Sequence, residues 1–171
     1  MSRISDIFFQ QDAVSLAKAL LGKILVRSYP DGVVEKFVIT ETEAYMGTED
    51  LACHASKGRT PRTETLYAEG GVLYVYLIYG IHQMLNIVSG NINHPEAVLI
   101  RSLDKTKGPG RVGKILEIDR SFNGEDLKQS KRIWIEDAPL VTDYESSPRI
   151  GIDYAGEYWK NIPWRFTISS D

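Results

Sequence analysis

The sequence predicts an α+β fold: a single compact domain over residues 1–171 with a curved, mainly antiparallel sheet and a few flanking helices. Three observations predict it. β-rich and helix-period runs are mixed without the regular βαβ spacing of a parallel sheet. Two pairs of β-rich runs are joined by short turn-forming segments, the mark of antiparallel pairing. No internal repeat, low-complexity tract or linker divides the chain.

The elements follow in order. "DAVSLAKALLGK" (residues 12–23) reads as a helix, with Asp12 as N-cap, Leu16, Leu20 and Leu21 as its apolar stripe and Gly22 as its stop. "ILVRSYPDGVVEKFVITETEAY" reads as a hairpin turning at Pro30, Asp31 and Gly32. Residues 46–71 are rich in Gly, Thr, Pro and charge, a long loop with one helical turn near Glu64–Tyr67. Such a loop inside a compact domain usually carries function. "VLYVYLIY" and "MLNIVS" pair around "YGIHQ", and "EAVLIRSL" adds a strand. "RVGKILEI" reads as a short helix, and "KRIWIED", "RIGIDY" and "WRFTIS" as closing strands.

Composition excludes several classes. At 171 residues and 43% hydrophobic the chain can bury a substantial core. No apolar run approaches the roughly 18 residues of a membrane span, and "MSRISDIFFQQ" lacks a secretion-signal pattern. Cys53 is the single cysteine, which excludes an internal disulfide, a four-cysteine zinc site and an iron–sulfur cluster. An intracellular location is expected: cytoplasm and nucleoid, or nucleus in a eukaryote. The net charge of −3 argues against gripping nucleic acid by bulk charge. The distribution is uneven, however. "HASKGRTPR" holds Lys57, Arg59 and Arg62 without an acid, and "DKTKGPGRVGK" is also basic, so a cationic face remains open.

Chemistry-bearing residues concentrate in two strands. Alternation puts Glu41, Glu43 and Tyr45 on one face of their strand. They can be a solvated strand edge, or a carboxylate that activates water beside an aromatic wall. Tyr74 and Tyr76 share a face of the next hairpin, where sheet packing also accounts for them. Tyr79 at the hairpin tip is an exposed aromatic, while Asn86 and Arg101 put polar groups where strands are usually buried. His54, His82 and His94 lack metal-ligand spacing, and no phosphate-binding loop or nucleophile elbow is present. No metal and no cofactor are expected.

These stretches resemble the alkyladenine (3-methyladenine) class of DNA glycosylases. "FFQQDAVSLAKALLGKILVR", "ITETEAYMGTEDLACHASKGRTPR", "GVLYVYLIYGIHQMLNIVS" and "AVLIRSL" carry the resemblance, which resumes in "SFNGEDL", "RIWIED" and "RIGIDYAGEYWKNIPWRF". The resemblance implies a monofunctional enzyme of base excision repair that flips alkylated or deaminated purines out of double-stranded DNA and hydrolyses the N-glycosidic bond. Position by position, it implies Glu43 as the base holding the attacking water and Arg101 as the cation beside it. Tyr45 and His54 would form one wall of the base pocket and Tyr76 the other. Asn86 would crowd the guanine amino group, and Tyr79 would fill the gap left in the duplex. The implied partner is lesion-bearing DNA, bound by a monomer, with no membrane involved. A non-catalytic reader of damaged bases is the alternative, but it would need only the stacking walls. A carbohydrate hydrolase using Glu41 and Glu43 fails on geometry, because residues at i and i+2 cannot flank a bond.

Overall fold

Helix α1 (Ala13–Leu20) begins where the Asp12 side chain accepts from the Ser15 N–H at 2.9 Å. It buries Ala13, Leu16, Ala17 and Leu20, the stripe its spacing dictates. The buried Thr42 hydroxyl donates to the Ala17 carbonyl at 2.8 Å and ties this helix to the sheet. The computed structural model describes residues 2–169.

Strands β1 (Ile24–Ser28) and β2 (Val34–Met46) form the expected hairpin. It is closed by Tyr29 N–H to Val33 O at 2.8 Å and Gly32 N–H to Tyr29 O at 2.9 Å. Strands β3 (Leu73–Ile78) and β4 (His82–Ser89) form the second hairpin, and β5 (Glu96–Leu103) follows. Two-residue β6 (Thr106–Lys107) pairs with β5; β7 (Ile133–Glu136), β8 (Tyr144–Ser147) and β9 (Arg165–Ile168) complete the sheet. Its order is β3-β4-β5-β2-β1-β7, with all named pairs antiparallel.

The long strand β2 is the hinge of this topology. Its first half pairs with β1, and its second half lies between β5 and β9. Register shifts at Ile39/Glu41 and Glu41/Thr42 mark where it changes partners. Bulges of this kind bend a strand and re-aim side chains, often beside functional sites.

One face of the sheet is the main core. Ala44, Leu85, Val98 and Ile100 meet Leu16 of α1 and Val112 of α2 (Pro109–Ile115) there. Helix α2 lies close against β4: a Cβ on Gly113 would stand 2.1 Å from the Gln83 carbonyl oxygen, a distance only glycine permits. The other face is covered by the long loop and by the stretch between β8 and β9.

Three sequence expectations need correction. "RIGIDY" is not a strand: it runs irregularly into a 3₁₀ turn at Asp153–Ala155, and Gly151 has φ +77. "RVGKILEI" starts its helix earlier, at Pro109, a residue suited to a first helical turn, and ends it at Ile115. The loop holds a 3₁₀ turn at His54–Lys57 as well as the expected one at Glu64–Tyr67. Helix α3 (Glu157–Asn161) and strand β8 carry no amphipathic pattern that would have announced them.

Candidate active site

Register alone lines up the site. Arg165 of β9 pairs with Glu43 of β2, Glu43 with Leu99 of β5, Leu99 with Asn86 of β4, and Asn86 with Tyr74 of β3. Directly opposed residues point to the same side of a sheet, so one row across five strands presents these side chains together. Tyr45 and Tyr76 lie two residues from Glu43 and Tyr74 and share that face.

A pocket opens on this face. Tyr45, His54, Tyr74, Tyr76, Asn86 and Tyr154 are among the residues lining it. Its walls meet: the His54 ring stands edge-on to Tyr76, centroids 4.5 Å apart, and its Nδ1 is 2.8 Å from the Tyr74 hydroxyl. The cavity left is about 40 Å³, room for a water or two rather than a purine. Burial, with Arg62 nearby, pushes His54 down to about 4, so its ring is neutral at pH 7. Asn86 is buried, its amide donating to the carbonyls of Tyr74 (3.2 Å) and Met84 (3.4 Å).

Glu43 lies behind Tyr45, with none of its surface exposed. Its Oε1 accepts from the Tyr45 hydroxyl at 2.9 Å, and its Oε2 from the Ile150 N–H at 2.8 Å. Arg101 Nη1 is 3.7 Å from Oε2. Burial raises the Glu43 carboxyl above its ordinary range, while Arg101, the Ile150 N–H, Tyr45 and Arg149 oppose that rise. Burial also raises the Tyr45 phenol, with the Glu43 charge adding to it, so the hydroxyl stays protonated and donates.

A buried ion pair holds the surroundings in place. Arg149 makes two contacts with Asp50, at 2.6 and 3.0 Å, both side chains wholly inaccessible. It also donates to the Ala44 carbonyl at 2.9 Å, and its guanidinium lies over the rings of Tyr45 (4.9 Å) and Trp164 (5.2 Å). Asp50 in turn accepts from the Met46 and Ala52 N–H groups, both at 3.0 Å. Thus the segment offering Ile150 N–H to Glu43 is fixed to the loop behind the pocket.

Comparison with known proteins places the chain in a family. The model of the family described as Methylpurine-DNA glycosylase (MPG) matches residues 7–106 and 103–171. The chain belongs to the methylpurine-DNA glycosylase family. It is 43% identical over 185 residues to a protein of Natranaerobius thermophilus, covering 94% of this chain and 92% of the relative. It is 41% identical over 188 residues to one of Psychrobacter cryohalolentis (91% and 87%). A Borrelia garinii subsp. bavariensis protein is 42% identical over 177 residues (96% and 95%). Each is named "Putative 3-methyladenine DNA glycosylase". Membership makes this chain a DNA glycosylase, a hydrolase of N-glycosyl bonds that serves DNA repair.

Within this glycosylase the sequence-predicted residues divide into three places. Tyr45, His54, Tyr76 and Asn86 line the pocket. Glu43 and Arg101 lie together beyond Tyr45. Tyr79 stands apart at the β3–β4 tip, 85% exposed and with φ +54. Sequence reasoning missed Asp50, Arg149 and the pocket-lining Tyr154, whose hydroxyl donates to Ala52 O at 3.2 Å. Arg149 and Tyr154 sat in a segment read as strand, and nothing local signals an ion pair between residues so far apart. Among the described residues, no group of three or more His, Cys, Asp or Glu side chains could hold a metal ion, and no helix is long and apolar enough to cross a membrane. Cys53 is buried, and burial pushes its thiol up to about 11, so it is a poor nucleophile.

Proposed function

We propose that this glycosylase excises 3-methyladenine and other alkylated or deaminated purines from double-stranded DNA, using water activated by Glu43. The observation that carries the proposal is the buried Glu43 carboxylate, hydrogen-bonded to Tyr45 and flanked by Arg101 at the back of an aromatic pocket. A base inside a duplex is out of reach, so the nucleotide is flipped at a cost of a few kcal/mol. Stacking on aromatic rings returns roughly 1–3 kcal/mol. His54 and Tyr76 part to admit the ring, trading their mutual edge contact for faces on the base.

As the N-glycosidic bond breaks, positive charge builds on the sugar, and a nearby carboxylate stabilises it. Glu43 takes the proton of the attacking water, whose oxygen bonds to the sugar carbon while the purine leaves with the bonding electron pair. A methylated, cationic purine departs as a neutral base and needs no proton donor. No lysine takes part, so the product is an intact abasic strand. Tyr79, exposed at the tip, occupies the space the nucleotide leaves. Pocket, carboxylate and arginine come from one chain, so a monomer suffices. A non-catalytic reader would gain nothing from burying a carboxylate beside an arginine, a costly arrangement.

The test is Glu43→Gln on methylated duplexes. Excision in single turnover should fall by about 10²–10⁴-fold, the usual worth of a general base, while binding to the lesion duplex persists. Excision at the wild-type rate would assign water activation elsewhere.

A further inference from the structure

Arg101 stands between two carboxylates, not beside one. Its Nη1 is 3.7 Å from Glu43 Oε2, and its Nε is 3.7 Å from Glu41 Oε2. Neither distance is a hydrogen bond. Arg101 Nε is moreover buried with no hydrogen-bond partner among the described residues. Charge balance, rather than directional bonding, therefore holds that end of the guanidinium between the two acids.

Glu41 is held quite differently. Its Oε1 accepts from Ser102 Oγ at 2.7 Å, and its Oε2 accepts from Arg165 Nη1 at 2.8 Å. Arg165 is itself anchored, its Nε donating to the Pro148 carbonyl at 2.9 Å, and it is the register partner of Glu43 on β9. None of these three residues lines the pocket. Two acids and two arginines thus form a compensated square in which one arginine is hydrogen-bonded to Glu41 and the other is not hydrogen-bonded to either acid.

With Glu43 taken as the base proposed above, we propose that Glu41 and Arg165 are a positioning pair for excision: Arg165 neutralises Glu41, and so leaves the charge of Arg101 to Glu43. The remaining groups facing Glu43 are accounted for. Tyr45 donates from its own strand, Ile150 N–H and Arg149 come from the segment after β8, and Arg149 is itself neutralised by Asp50. Tyr76 of β3 and Tyr154 of the 153–155 turn stay protonated, because burial raises both phenols. Glu41 and Arg165 are therefore the charges that can be changed without touching a direct hydrogen-bond partner of Glu43.

The consequence has a sign. Removing the negative charge of Glu41 leaves Arg101 wholly to Glu43, favours the carboxylate and moves the acid limb of the rate–pH profile to lower pH. Removing the positive charge of Arg165 leaves Glu41 uncompensated, draws Arg101 away and moves the limb to higher pH. A unit charge several ångströms off in a partly screened interior corresponds to about 0.5–1.5 pH units.

The experiment measures single-turnover release of 3-methyladenine from methylated duplex DNA across pH for the full chain. Glu41→Gln should shift the acid limb down, Arg165→Gln should shift it up, and the double variant should return it towards the wild type. Arg165→Lys, which keeps the charge, should hold the limb in place as the control, and if Arg165→Gln folds poorly the direction in which Glu41→Gln moves the limb decides alone. Lower rates with unmoved limbs, or limbs moving the same way in both single variants, would make the pair a mere tie between strands and overturn the proposal. Glu43→Gln is run alongside. If it loses excision and the limbs stay put, only the positioning role fails; if it excises normally, the role of Glu43 and the positioning pair fall together.

Discussion

His54 and Asn86 line the pocket, and each can be tested through stability as well as through activity. The folded protein holds the His54 proton only below about pH 4, against an ordinary value of 6.5. The unfolded chain therefore binds more protons between those values, so this residue's contribution to stability is complete above 6.5 and is lost as the pH falls towards 4. Thermal melts should show the wild type losing more stability between pH 7 and 4.5 than His54→Asn does; parallel curves would mean that the ring is not held neutral. Asn86 poses a different test. Aromatic walls stack on any base, so normal guanine must be rejected by something else, and a side chain crowding its amino group can do so. Asn86→Ala should raise release of unmodified guanine while changing hypoxanthine excision less. It should also cost about 1 kcal/mol from the lost bonds to the Tyr74 and Met84 carbonyls. Guanine release that stays at background would leave Asn86 a structural residue.

At the scale of elements, the β3–β4 hairpin puts a strained residue at its exposed tip, the point proposed above to enter the duplex. Tyr79 and Gly80 both have positive φ, 54° and 70°, and Ile81 N–H closes the turn on Ile78 O at 3.2 Å. Glycine takes this conformation freely, whereas a bulky aromatic does so at a cost of order 1 kcal/mol. Tyr79→Asn, a residue that tolerates the left-handed region, should therefore leave the melting temperature unchanged or raise it while slowing excision from duplexes. A lower melting temperature would mean that the ring stabilises the tip. The hairpin itself is legible in the sequence, since its two runs have strand composition on either side of a turn. The conformation at Tyr79 is not, because nothing in the residue order asks for it.

Across the whole molecule, electrostatics must reconcile a net charge of −3 with a polyanionic partner. The cations of the 54–62 loop are not equivalent. Arg59 is engaged by Glu64 at 2.7 and 2.8 Å and by Asn93 at 3.1 Å, and lies over Tyr67. Arg62 instead is exposed, its guanidinium 6.0 Å from the centre of the Tyr76 ring. Its place beside a pocket-lining ring makes Arg62 the cation to test for a phosphate contact. Arg62→Ala should weaken lesion-duplex binding and reduce the slope of log K against log salt by about 1, as expected for one lost phosphate contact. An unchanged slope would place the phosphate contacts elsewhere, with the basic stretch around Lys105–Lys114 the next to test.

The fold class, helix α1 with its Asp12 cap, both hairpins and the sharing of one strand face by Glu43 and Tyr45 are legible in the residue order alone. All of these follow from propensity and periodicity within a few residues, which the local chain enforces wherever it folds. The row that sets Tyr74, Asn86, Leu99, Glu43 and Arg165 side by side arises only on folding, since register depends on how distant strands bury their apolar faces. Folding likewise sets the conformation of "RIGIDY". Its alternation suits a strand, yet Arg149 reaches Asp50, 99 residues away, and Ile150 gives its N–H to Glu43, 107 residues away. A buried charge and a buried carboxylate each need a partner more than that segment needs a neighbouring strand, and only the folded chain brings those partners within reach.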